Sequence, residues 1–330
     1  MEEPTRDECE RLYAATMQFK EMAPWRWMAN NDLFAVENPG DGEVGYCSIM
    51  GNGGMEYGLA VFLGAEGIAS YRRLAMEEVD TESREALASL RSLSVTFVDR
   101  EYVDKRVREV GRTLGLRFRG VNGWPLFRSL RPGYVPWYLE QEEVLFLDIA
   151  LRLAVRVAGE VREDRIQLSH GAQAGLLLTF SSRNGEWVQE WRKPPMTRKE
   201  PEAMAPADQA RLGRLMQGKE APQGRWELDL SLMPIPVGSK RERPYYPILL
   251  MAVDQAGIIV ATQTLEPWAS ATQRQEALLQ ALENAPGLPA EIRVSSQEVR
   301  RLVEPMAKAL GISTRVSRLP RLTAIREDLF

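Results

Sequence analysis

Two tandem, similar α/β domains with mixed sheets are the fold class that the sequence predicts, and three observations predict it. The chain has 330 residues, and at about 150 residues per domain this length suggests two domains, each able to bury its own core. Runs rich in β-branched and aromatic residues, bounded by turn clusters, alternate with segments of helical periodicity in both halves. At a fixed offset of 196, "SVTFVDREYVDKRVREVGRTLGL" lies without gaps over "EIRVSSQEVRRLVEPMAKALGI" preceded by Ala290, pairing Val98, Val103, Val107 and Leu114 with Val294, Val299, Val303 and Leu310. Composition agrees: 44% hydrophobic and 27% charged residues with a net charge of −4 match an ordinary globular protein and exclude long disorder, collagen-like repeats and membrane-spanning chains.

The first element is a helix over Arg6–Met22, from the spacing of Leu12, Ala15, Met17 and Phe19, and Pro24 ends it. "DLFAVENPGDGEVGYCSIMG" reads as a hairpin, because Asn38-Pro39-Gly40-Asp41-Gly42 supplies the turn conformations that two β-rich runs need. The glycines Gly51–Gly54 read as a further hairpin connection, since a strand follows them where a phosphate loop would open a helix. "EYGLAVFLGAEGIASYRRL" then continues the sheet through a second tight turn at "GAEG". Helix "TESREALASLRSL", strand "SVTFV", helix "EYVDKRVREVGRTLG" and strand "LRFRGV" alternate, which predicts parallel pairing through helical crossovers. A long helix over Leu139–Val161 follows; Asp148, Arg152 and Arg156 interrupt its apolar run at helical spacing, so it reads as a core helix.

The second half repeats the plan. "LLLTFSSRNGEWVQEW" is a hairpin around Asn184-Gly185, Pro- and charge-rich connectors flank a short helix near Gln209–Met216, and Gly257 falls over Gly67. The expected boundary is near residue 160, giving domains 1–160 and 161–330. An acidic N-terminus where a secretory signal needs a basic start, and only two cysteines, Cys9 and Cys47, predict a cytoplasmic protein with free thiols. The single histidine, His170 in "LSHGAQ", reads as a loop residue and leaves His-based metal or nucleophile chemistry without its usual parts.

"GRWELDLSLMPIP", "PILLMAVDQAGIIVATQTL", "TQRQEALLQALEN", "LPAEIRVSS" and "MAKALGISTRVSRLP" form three antiparallel strands followed by helix, strand, helix and strand. In this order the C-terminal half, about residues 224–322, resembles the ribonuclease H-like core of retroviral integrases and transposases. The resemblance implies three acids, on the first strand, after the fourth strand and on a later helix, that together hold two divalent metals for phosphodiester cleavage. Asp229 in "WELDLS" matches the first position, Ser295 and Ser296 stand at the second, and Glu327 or Asp328 is the candidate for the third. Asp254 reads as a turn residue, with recruitment to the site as the alternative. The N-terminal half has Asp99 at its fourth-strand position but no acid in "YCSIMG". The text "DLFAVENP" and "GEVGYCSIMG" also resembles bacterial proteins built from paired domains of unknown function, which implies no activity.

With the acids incomplete, the expected function is a non-catalytic binding or scaffolding protein of a bacterial cytoplasm, with no cofactor. One alternative is a divergent metal-dependent nuclease using Asp229 with Asp254 or Glu327, and only this alternative needs a divalent metal. Another is a small-molecule or peptide sensor whose groove is lined by Trp25, Trp124 and Trp137 in "APWRWM", "NGWPLF" and "YVPWYL", though domain packing also accounts for these rings. Arg117, Arg119, Arg128 and Arg131, with Arg315, Arg318, Arg321 and Arg326, offer two stripes for nucleic acid, or for salt bridges and solvent.

Overall fold

The computed structural model describes residues 3–75, 88–169, 175–196, 208–218, 223–238 and 242–330. The chain forms two compact units, one of Met1–Pro132 with Pro136–Arg198 and one of Gly133–Val135 with Lys199–Phe330. Both are α/β with mixed sheets, as the sequence predicts, and no described helix is long and apolar enough to cross a membrane.

The first unit opens with helix α1 (Arg6–Met22), where Thr5 and Glu8 form a reciprocal capping box that satisfies two backbone donors. Strands β1 (Phe34–Glu37), β2 (Val44–Met50) and β3 (Tyr57–Leu63) pair antiparallel. Helix α2 (Gly64–Ala75) follows β3 directly. The tight turn expected at "GAEG" is therefore the first turn of a helix, whose Ile68, Tyr71 and Leu74 pack against the sheet. Gly67 permits that approach: a Cβ there would lie 2.5 Å from the Phe62 carbonyl carbon and 2.9 Å from the Arg91 oxygen. Gly257, its expected counterpart, sits in a true turn with φ 85°.

Strand β4 (Ser92–Val98), helix α3 (Lys105–Thr113) and strand β5 (Trp124–Leu130) come next. The strand expected in "LRFRGV" thus lies later, in "WPLFRSL"; Pro125 is tolerated because β5 is an edge strand. Both β4 and β5 pair antiparallel, β4 with β3 and β5 with β4, so the parallel crossover expected here does not form. The helix expected in "TESREALASLRSL" falls mainly outside the described residues, and its last two, Ser92 and Leu93, open β4. His170 also lies outside the described residues.

Helix α4 (Gln141–Arg162) presents Val144, Leu147, Leu151, Ala154 and Ala158 along one buried face and packs with α1 on the sheet face bearing Phe34, Ile49, Leu59 and Val95. The hairpin β6 (Leu177–Arg183) and β7 (Glu186–Arg192) turns at Asn184-Gly185 as expected. Its partner, however, is β1, which β6 joins in parallel to complete a seven-stranded sheet ordered β5-β4-β3-β2-β1-β6-β7. Division at residue 160 is therefore corrected, because Phe180 is buried in the first core against Phe34 at 6.4 Å between ring centroids.

The second unit contains helix α5 (Gln209–Gly218) and strands β8 (Arg225–Leu232), β9 (Ile248–Val253) and β10 (Ile259–Leu265), which pair antiparallel. Helix α6 (Ala271–Asn284) leads to β11 (Glu291–Val294), which runs parallel to β8. Helix α7 (Gln297–Ala309) leads to β12 (Ser313–Val316), parallel to β11, and helix α8 (Pro320–Leu329) ends the chain. The order β10-β9-β8-β11-β12 is the ribonuclease H-like one expected for this half. Helices α6 and α7 pack on one sheet face through Leu278, Leu282, Val299 and Val303, while Leu319 and Leu322 of the α8 segment pack on the other against Leu249 and Met251. Sheet order differs between the two units, since β4 joins β3 antiparallel where β11 joins β8 in parallel.

Candidate functional site

Alternation along β8 places Leu228 in the core under α6 and α7, and Glu227 and Asp229 on the opposite face, under α8. The parallel register that sets Val294 opposite Leu228 brings Ser295 beside Asp229. The position after the fourth strand thus reaches the first acid as the ribonuclease H-like order requires, but it delivers a hydroxyl. Ser295 Oγ donates to Asp229 Oδ1 at 2.5 Å, while Ser296 Oγ accepts from the Val299 N–H and caps α7.

Helix α8 supplies the third component, again with altered chemistry. Arg326 Nη1 approaches Asp229 Oδ2 at 3.4 Å, and the aspartate side chain is 12% exposed. Glu327, the expected third acid, is exposed and is not among the partners of Asp229. Asp254 keeps its turn role: Oδ1 accepts from the Ala256 and Ile258 N–H groups at 2.8 and 2.9 Å. Asp229, Asp254 and Glu327 therefore do not converge, and no group of three or more His, Cys, Asp or Glu side chains suited to a metal occurs among the described residues.

Glu227, which the sequence did not single out, holds α8 in place. Its side chain is 3% exposed, and Oε2 accepts from the backbone N–H groups of Arg321 and Leu322 at 2.9 and 3.0 Å. These are donors that a helix N-terminus leaves without intrahelical partners, and the carboxylate also meets the positive end of the helix dipole. Arg321 Nη1 adds a contact at 3.4 Å to Oε1. The only signal in the sequence was the two-residue spacing of Glu227 and Asp229, which puts both acids on one strand face.

Burial raises the Asp229 carboxyl above its ordinary 3.8, against the opposing pull of Ser295, the Leu230 N–H and Arg326. The folded chain thus holds this proton more tightly than the unfolded chain. The resulting stabilisation is complete below the unfolded value and is lost as pH rises through the folded one. Asp229→Asn is accordingly expected to be as stable as the parent or more stable at about pH 7, with the difference closing near pH 3. Urea midpoints across this range check it, and a variant markedly weaker at neutral pH contradicts it.

The remaining candidates separate. Trp25 packs among Phe19, Tyr57 and Phe97, Trp124 against Phe118, and Trp137 against Tyr138. No two of the three tryptophans are in ring contact among the described residues. Of the arginine stripes, Arg128 pairs with Asp104, Arg131 with Glu140 and Glu143, Arg321 with Glu227, and Arg326 with Asp229. Arg117, Arg119, Arg315 and Arg318 are exposed. Asp99 braces a loop by accepting from the Asn122 N–H at 2.6 Å.

A ribonuclease H-like unit whose central acid is bonded to its own serine and arginine, on one chain with a mainly antiparallel α/β unit, is the class that fold and site define. The chain belongs to the family of the domain of unknown function DUF7309, whose model matches residues 10–179, and residues 211–330 match the domain of unknown function DUF6930. No curated protein matches. Among solved structures, the chain is similar to the HTLV-2 integrase catalytic core domain in complex with magnesium (dimeric form), at 18% identity and TM-score 0.25, covering 33% of this chain and 70% of that one. It is also similar to the simian T-cell lymphotropic virus intasome in complex with PP2A regulatory subunit B56 gamma, at 14% identity and TM-score 0.25, covering 34% and 38% respectively.

Proposed function

We propose that the protein is a non-catalytic binding protein whose second unit keeps a ribonuclease H-like scaffold without the metal chemistry of that fold. The observation that carries this reading is the pairing of Asp229 with Ser295 and Arg326. Two-metal cleavage needs several anionic oxygen ligands around hard cations. Here one carboxylate faces a neutral hydroxyl and a guanidinium, which leaves little net negative charge to draw a divalent ion. A reducing cytoplasmic setting belongs to the same proposal, supported by two free cysteines, of which Cys47 is buried with its thiol pushed up by burial and so poorly reactive.

The competing reading, a divergent metal-dependent nuclease, makes a different prediction for one assay. Full-length chain incubated with single- and double-stranded DNA or RNA in magnesium or manganese is expected to show no cleavage that distinguishes it from Asp229→Asn. Metal-dependent cleavage abolished by Asp229→Asn would overturn the proposal.

A further inference from the structure

The face of the first sheet opposite the α1–α4 core carries a cleft that the second unit's site does not involve. Ser48, Ala60, Ser94 and Arg128 lie directly opposite one another across β2, β3, β4 and β5. Phe62 and Ser92 form the next row, and Gly58 and Thr96 the row on the other side. Small residues at the centre, with Phe62, Tyr71 and Leu130 around them, leave a cleft of about 640 Å³, a volume typical of small-molecule sites.

The chemistry of the lining is specific. Ser92, Ser94 and Thr96 alternate along β4 and turn three hydroxyls to the same face, spanning about 13 Å at about 3.3 Å per residue. Ser92 is 3% exposed, and Ser94 and Thr96 are half-buried on the cleft. A row of three hydroxyls along one strand offers a ligand both donors and acceptors at a regular spacing. Phe62 and Tyr71, in edge contact at 5.2 Å between centroids, form an aromatic wall. Two charged side chains line the cleft: Arg128 already faces Asp104 at 3.4 Å, and Glu56 adds a carboxylate, so an anionic ligand finds no free counter-charge there.

We infer that this cleft binds a polyhydroxylated ring compound that carries no anionic group, whose hydroxyl edge meets Ser92, Ser94 and Thr96 and whose apolar face lies against the Phe62–Tyr71 wall. A nucleoside and a glycoside share this chemistry.

Saturation-transfer NMR and titration of the full chain with adenosine and with methyl glucoside test it. Binding of either probe is expected, weakened about tenfold or more in Ser94→Val, which removes one hydroxyl at a strand position where valine is well tolerated. Thr96→Val provides an independent second variant. Adenosine alone assigns the site to nucleosides, methyl glucoside alone to glycosides, and both to the shared ring. Failure of both probes to bind the folded chain, or binding unchanged in both variants, overturns the inference. Neither result bears on the nuclease assay, which reads Asp229.

Discussion

Phe180→Ala is expected to lower the stability of the first unit by about 3–5 kcal/mol, the usual cost of emptying a fully buried aromatic site. Phe180 is wholly buried on β6, in edge contact with Phe34 and within the same core as Leu147 and Ile49. Its side chain fills space between the sheet and the helices that no neighbour can reach without shifting. Urea unfolding followed by tryptophan fluorescence measures the effect, because Trp25, Trp27, Trp124, Trp137, Trp187 and Trp191 all belong to the first unit. An unchanged midpoint would mean that the hairpin is not part of that unit's cooperative core, and the parallel β1–β6 pairing would lose its energetic meaning.

Glu227→Ala is expected to cost the second unit about 3 kcal/mol. The substitution leaves two backbone donors at the start of α8 without their acceptor and removes the partner of Arg321, and each unsatisfied buried donor costs about 1–3 kcal/mol. The ion pair itself contributes little to this figure, since the Arg321 side chain is 39% exposed and its charge is screened by water. Glu227→Gln retains one oxygen acceptor and is expected to lose roughly half as much. Hydrogen exchange of the Arg321 and Leu322 amides reads the effect locally. Retained protection in Glu227→Ala would show that apolar packing of Leu319 and Leu322 alone fixes the helix.

The second sheet was legible because its signals are local and consistent. Ser270 and Gln273 form the capping box that starts α6, Ser296 caps α7, and each helix leads into a strand that pairs in parallel, β11 with β8 and β12 with β11. The first sheet was less so. Two glycines in "GAEG" imitate a turn, and the helical signal lies in the three-residue spacing of Ile68, Tyr71 and Leu74 immediately after them. Pro125 hides an edge strand, and the hairpin around Asn184-Gly185 says nothing local about which sheet it will join.

The site divides in the same way. Asp229 and the serine facing it follow from strand position and parallel register, both readable from sequence order. Arg326 and Glu227 do not, because their roles depend on where α8 docks, which is a consequence of tertiary packing. Four of the eight arginines that look like free basic stripes in one dimension, Arg128, Arg131, Arg321 and Arg326, become partners of acids in three. The alternating hydroxyls of "SLSVTF" illustrate the reverse case: the pattern is plain in sequence, but only the sheet shows that small neighbours open a cleft above it.

The most direct measurement of the central claim, that Asp229 is occupied by the protein's own Ser295 and Arg326, is calorimetric titration of manganese into the full chain and its Asp229→Asn variant. A Ser295→Asp/Arg326→Glu double variant serves as the comparison. The parent is expected to show no saturable, Asp229-dependent binding and the double variant a gain of binding, where three carboxylates surround one position. Saturable manganese binding by the parent that disappears in Asp229→Asn would contradict it.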